Sequence, residues 1–150
     1  MIGFNHLGRL GRTGNQMFQY AALRGIAANA GVNYCIPYHQ DIVDDGIGNK
    51  LRTELFDYLN MSSVEQLNIQ LIDESRPIVQ EGQFNYNKKL HTECKDWVSL
   101  YGFFQTEKYF KNVEDIIRSD FTFKDEILDP CREMMSDIDG QVIALHIRRG

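Results

Sequence analysis

Cysteine, histidine and positive charge are all scarce in this chain. Cys35, Cys94 and Cys131 are only three, widely spaced and without a Cys-x-x-Cys pair. That excludes a disulfide framework and a zinc ribbon, and reduced, structural thiols are expected. His6, His39, His91 and His146 show no ligand spacing, such as two histidines four apart on a helix, and no bound metal is expected. Lys and Arg number 16 against 21 Asp and Glu, a formal charge of −5, which disfavours a protein that coats nucleic acid. No apolar run approaches the ~20 residues that span a bilayer. The start at Met1 carries no basic segment followed by a signal-like hydrophobic stretch. These absences predict an intracellular, cytoplasmic protein, with peripheral attachment to a membrane left open. No repeat, low-complexity tract or Gly/Ser linker divides the chain. At 150 residues and 43% hydrophobic it can bury one good core, and a single domain over 1–150 is expected.

What is present alternates strand and helix signals. Ile2 to Leu7 reads as a first strand, followed by a loop with Gly8, Gly11 and Gly14 among Arg9 and Arg12. Residues 16–30 favour helix, with Gly31 as terminator and small Ala21, Ala22, Gly25 and Ala28 suited to close packing. Asn33 to Ile36, stopped by Pro37, predicts a second strand. Residues 38–50 read as an acidic surface loop, 51–71 as a mixed region with short helices, and 74–89 as a polar stretch. Trp97 to Tyr101 predicts a strand. Thr106 is a candidate cap for a helix over 108–119 whose inward face is Tyr109, Val113, Ile116 and Ile117. A helix over 125–136, disturbed near Pro130, precedes a last strand. The pattern predicts an α/β, Rossmann-like three-layer sandwich.

That last strand holds the most suggestive chemistry. Val142, Ile143, Ala144, Leu145 and Ile147 form a nearly continuous apolar run of the kind a strand buried on both faces needs. It delivers His146, Arg148 and Arg149 to its carboxyl end, where open α/β sheets bind ligands. Forked guanidiniums there suit bidentate capture of phosphate, although two arginines can also close a strand as solvated charge. The loop of Gly11, Gly14, Asn15 and Gln16 opens into a helix. Its backbone N–H groups and amide side chains favour an anion or a polar sugar group, or the glycines simply turn the chain. The loop is neither a Walker A motif nor a dinucleotide fingerprint. Asp137 and Asp139 precede their strand and read as a solvated turn. Glu107 reads as support for a helix start, and Gln105 stays open as a cleft residue. Asn60-Met61-Ser62 fits a glycosylation sequon that would matter only in a secreted protein.

Three segments taken together resemble a family. Gly11-Arg12-Thr13-Gly14-Asn15-Gln16-Met17-Phe18-Gln19-Tyr20-Ala21-Ala22 is similar to the Gly-x-x-Gly-Asn-Gln-Met-Phe-Gln-Tyr-Ala signature of family 11 glycosyltransferases, the α-1,2-fucosyltransferases. Gly102-Phe103-Phe104-Gln105-Thr106-Glu107-Lys108-Tyr109-Phe110 resembles their Gly-Tyr/Phe-Phe/Trp-Gln-Ser-Glu-Lys-Tyr-Phe segment. His146-Ile147-Arg148-Arg149-Gly150 resembles the start of their His-x-Arg-Arg-x-Asp motif. Thr13 departs from the family's usual Leu or Phe, and the closing Asp would follow Gly150. The resemblance implies the amino-terminal half of a two-domain GT-B enzyme about twice this long, inactive by itself. The family reaction transfers fucose from GDP-β-L-fucose to a galactoside hydroxyl with inversion and without metal or other cofactor; the implied partners are that donor and a galactose-containing glycan. By resemblance Arg148 is catalytic at the β-phosphate, Arg149 and His146 serve the donor site, and Gly14, Asn15 and Gln16 line the donor cleft. Two other classes remain. One is a noncatalytic sugar-phosphate or nucleotide-binding module using the same residues. The other is an RNA-binding domain using Arg9, Arg12, Arg148 and Arg149, disfavoured by the acidic charge.

Overall fold

The computed structural model describes residues 1–38, 42–44, 48, 50–61, 66–67 and 76–147. It is a mixed α/β protein built on an all-parallel sheet. Strands β1 (Ile2–Gly3), β2 (Tyr34–Pro37), β5 (Gln66–Leu67), β6 (Ile78–Gln80) and β7 (Ser99–Tyr101) lie in the order β5-β2-β1-β7-β6. A separate antiparallel ribbon joins β3 (Val43–Asp44) to β4 (Lys50–Leu51) within the stretch read as a loop. Helix α1 (Thr13–Ala30) connects β1 to β2, and α3 (Lys88–Glu93) connects β6 to β7. Both crossovers step across the sheet in the same direction. The right-handed rule therefore places both helices on one face, and α1 and α3 pack against each other.

The sequence of α1 explains its seating. Gln16, Gln19, Tyr20, Leu23, Ile26 and Ala27 recur three and four apart and are all buried, forming the core stripe. Of these, Tyr20, Leu23, Ile26 and Ala27 meet Ile2, Phe4, Ile36, Leu100 and Phe104 in one hydrophobic cluster. Gly31 ends the helix in the left-handed region at φ 65°. Its N–H donates to the Ala28 carbonyl at 3.2 Å while that of Val32 donates to the Ala27 carbonyl at 3.1 Å, the two-bond Schellman closure. At Gly25 a methyl would collide with the Tyr109 carbonyl oxygen and would lie 2.7 Å from the Phe110 Cα. Gly25→Ala should accordingly lower stability by about 1–3 kcal/mol through overpacking against rigid backbone. Gly14→Ala, with open space around the added carbon, should be neutral or stabilise by up to about 1 kcal/mol. Urea denaturation of the two variants checks the contrast.

Several elements depart from expectation. The helix expected over 108–119 is two 3-10 turns, Glu107–Tyr109 and Lys111–Val113, followed by α4 (Glu114–Asp120). This change of pitch rotates Ile116 outward to 45% exposure while Tyr109 and Ile117 stay buried. Between β4 and β5 a short α2 (Leu55–Tyr58) buries Leu55. Helix α5 (Asp125–Ser136) runs through Pro130, and none of its residues is buried. The apolar run at 142–147 predicts a doubly covered strand, but residues 141–147 form none; Ile143 is 86% and Leu145 83% exposed. Among the described residues no element covers Ile143 or Leu145, so the two faces such a strand would bury stay open. Among the described residues no helix is long and apolar enough to cross a membrane.

Candidate functional site

The chain starts at the centre of the sheet, moves out through β2 to β5, and returns from the opposite edge through β6 to β7. The carboxyl ends of the parallel neighbours β1 and β7 thus lie side by side, and it is outside such strand ends that α/β sheets bind their ligands, in a crevice between the loops that follow. The loop after β1 holds Asn5, His6 and the glycine segment; the loop after β7 holds residues 102–106. The Asn5 N–H donates to Ser99 Oγ at 3.1 Å, and the His6 ring meets Tyr101 edge-on at 5.0 Å. Gln19 reaches up from α1 and its Nε2 donates to the carbonyls of Leu10 and Gly102, both at 3.0 Å. One buried amide therefore ties both loops together. Above it, Gln105 Nε2 donates to Asn15 Oδ1 at 2.7 Å. Asn15 and Gln105, 90 residues apart in the chain, are brought into direct contact at the crevice.

The start of α1 does not offer the anion site its glycine loop predicts. Thr13 N–H donates to Glu54 Oε2 at 3.1 Å and the Thr13 hydroxyl to the same oxygen at 2.5 Å, while Arg12 lies 3.5 Å from Oε1. The protein's own carboxylate thus occupies the positive end of the helix, where a phosphate would otherwise bind. Gln16 requires a similar correction as a donor-cleft residue. It is 1% exposed, its Nε2 donates to the carbonyls of Arg52 at 3.1 Å and Gly11 at 3.4 Å, and its Oε1 accepts from the Glu54 N–H at 2.7 Å. Its polar groups are spent on holding the loop against residues 52–54, which leaves none to meet a ligand. Gly14 is exposed on the other flank, lining a cavity of about 720 Å³ with Met17, Phe18, Phe110 and Ile117. The cations at that cavity, Lys111 and Arg118, both pair with Glu114, whose carboxyl is held below its usual range by those two partners.

His6 is a residue of the crevice that the sequence did not single out. Burial, with help from the nearby Arg9 charge, lowers its pKa below the ordinary histidine value, and its Nδ1 is buried without a hydrogen bond among the described residues. A neutral imidazole beside the β1 carboxyl end can accept a proton. Its position directly after the first strand was the only available signal. His146 is exposed in the 141–147 stretch and takes part in no hydrogen bond, ion pair or ring contact among the described residues. Arg148 and Arg149 lie outside the described residues. Asp137 and Asp139 are exposed, and among the described residues no three His, Cys, Asp or Glu side chains gather as a metal site would require. No protein-family model, curated protein or solved structure matches the chain.

Proposed function

We propose that this chain is the Rossmann-like, amino-terminal part of a metal-independent fucosyltransferase that transfers fucose from GDP-β-L-fucose to a galactoside hydroxyl with inversion. The observation that carries the reading is the junction of two of the three motif segments. The 11–22 segment and the 102–110 segment are far apart in sequence, yet Gln19 and the Asn15–Gln105 hydrogen bond lock them together at the carboxyl ends of two adjacent parallel strands. Motif residues converging on the place where such sheets bind ligands support a shared site. A noncatalytic module that would seat a phosphate on the start of α1 is disfavoured, because Glu54 is already there.

In this reaction the acceptor oxygen attacks the anomeric carbon from the face opposite the leaving group. The bond from that carbon to the β-phosphate oxygen breaks, and GDP departs with the electron pair. Positive charge develops on the sugar and negative charge on the phosphate, so the main requirement is preorganised positive charge at the departing anion. Arg148 takes that role, Arg149 supports donor binding, and His146 shapes the donor pocket. With Gln16 committed to the fold, Asn15 and Gln105 are the amides of this segment placed to meet a ligand. His6, whose pKa burial lowers so that the imidazole stays unprotonated, is a candidate to receive the acceptor proton.

Transfer of radiolabelled fucose to a galactoside should be undetectable with residues 1–150 alone and robust with a chain extended through a second nucleotide-binding half. Turnover by the short chain would overturn the two-half reading; no turnover by the extended enzyme with any galactoside would overturn the activity itself.

A further inference from the structure

A second cavity, of about 220 Å³, opens beside the crevice at the carboxyl ends of β6 and β7. It is lined by Leu10, Gln80, Glu81, Gln83, Phe84 and Phe103, among others. We infer that this cavity is a binding subsite for a single neutral pyranose ring. The inference deepens the transferase reading by assigning the site to an uncharged sugar rather than to the nucleotide donor, and it rests on that reading for its place in a reaction.

Phe84 and Phe103 stack with ring centroids 5.9 Å apart and planes 25° from parallel, and Phe84 is 71% exposed. A nearly naked phenyl ring stacked on a second one at a cavity mouth is a flat apolar platform of the kind the C–H face of a pyranose packs against. The platform is held from below. Glu81 Oε2 accepts from the N–H groups of Phe103 at 2.9 Å and Phe104 at 2.7 Å, fixing a loop in which Gly102 and Phe104 have φ of 150° and 54°. At Gly102 a side chain would press on Glu81 Cβ at 2.6 Å. A left-handed phenylalanine persists only where its surroundings impose it, and such positions gather at ligand sites. Glu81 Oε1 is buried and accepts no hydrogen bond among the described residues, so the carboxylate's bonds go to the loop through Oε2.

The charge of the lining decides the ligand class. Gln80 and Gln83 offer amide donors and acceptors, Glu81 a carboxylate, and among the described residues no lysine or arginine lines the cavity. A phosphate or a sugar acid would meet that carboxylate without a counter-charge. The volume holds one ring and is too small for a nucleoside diphosphate sugar. Glu81 is a positioning residue for the platform, and Phe84, being exposed, can be removed without disturbing the core.

Amide-detected NMR titration of residues 1–150 with methyl β-galactopyranoside, methyl β-glucopyranoside, GDP and inorganic phosphate tests the assignment. Saturable shifts confined to residues 80–84 and 101–104 are expected with at least one pyranoside. They should weaken at least 10-fold in Phe84→Ala while the remainder of the spectrum is unchanged. Shifts at these residues with GDP or phosphate but with neither pyranoside, or pyranoside binding untouched by Phe84→Ala, would overturn the subsite. Because this readout needs no turnover, sugar binding by residues 1–150 together with failed fucose transfer by the extended enzyme would count against the transferase reading alone.

Discussion

Arg148→Lys is expected to reduce fucose transfer by about 100-fold or more in a chain that carries its second half, a loss comparable with removing one preorganised donor from an anion-stabilising site. Formal charge is unchanged by the substitution, so the loss isolates geometry. A guanidinium spans two phosphate oxygens with parallel N–H groups, whereas an ammonium meets them as a point charge. The effect should fall on kcat, because the fork matters most when the β-phosphate takes up the leaving-group charge. Arg9→Lys, outside the three matched segments, should change the rate little, and chelation with EDTA should leave it nearly unaltered. Full activity in Arg148→Lys, or activity lost to EDTA and restored by manganese, would show that the departing phosphate is stabilised by something else.

Much of the amino-terminal half was legible because its signals are local. The glycine that ends α1 and the proline that ends β2 act within a turn of the residues they stop, and the 16–27 stripe shows its period over three turns. The middle was opaque for the opposite reason. β5 and β6 have two and three residues, too few for a period to emerge from a polar background. β6 becomes a strand by pairing with β7, from Ile78 opposite Ser99 to Gln80 opposite Tyr101, and nothing within either segment announces that register. Asn87 did offer a local signal, as the cap whose Oδ1 accepts from the Leu90 N–H at 3.0 Å, but its polar neighbourhood concealed the short helix that follows.

The candidate site divides along the same line. Which residues carry amides and aromatic rings can be read from the sequence, but what those groups are already bonded to cannot. Glu54 settles on the start of α1 from 41 positions further along the chain, and that single contact turns a loop suited to an anion or a polar sugar group into a sealed helix end. Gln16 and Gln19 look interchangeable in the motif, yet the first pins the loop to residues 52–54 and the second pins the β1 loop to the β7 loop. The final apolar run failed differently. Its composition satisfies the rule for a buried parallel strand, but composition alone cannot say whether other elements come to cover its faces.

The largest stability loss is expected from Asp120→Ala. Asp120, at the end of α4, accepts from the Tyr20 hydroxyl at 2.7 Å and pairs with the Arg24 guanidinium, whose Nη1 also lies 3.3 Å from the Tyr20 oxygen. Side-chain exposure is only 18% for Arg24 and 10% for Asp120, so water screens the pair weakly. Arg24 additionally covers the Tyr34 ring at 5.2 Å, and the Tyr20 phenol is pushed well above its ordinary pKa, chiefly by burial. The network is what joins α4 to α1 and to β2. Deleting the carboxylate leaves a cation and a hydroxyl buried without their acceptor, a loss of about 3–5 kcal/mol. The same desolvation argument predicts that removing both charges, as in Arg24→Met with Asp120→Leu, should be much milder than Asp120→Ala, because no unpaired ion remains. Urea titration of the single and double variants measures both. A loss below about 1 kcal/mol in Asp120→Ala would mean that water reaches Arg24 and the pair is a surface one. A double variant as damaged as the single would place the stabilisation in the shape of the side chains, with their charges contributing little.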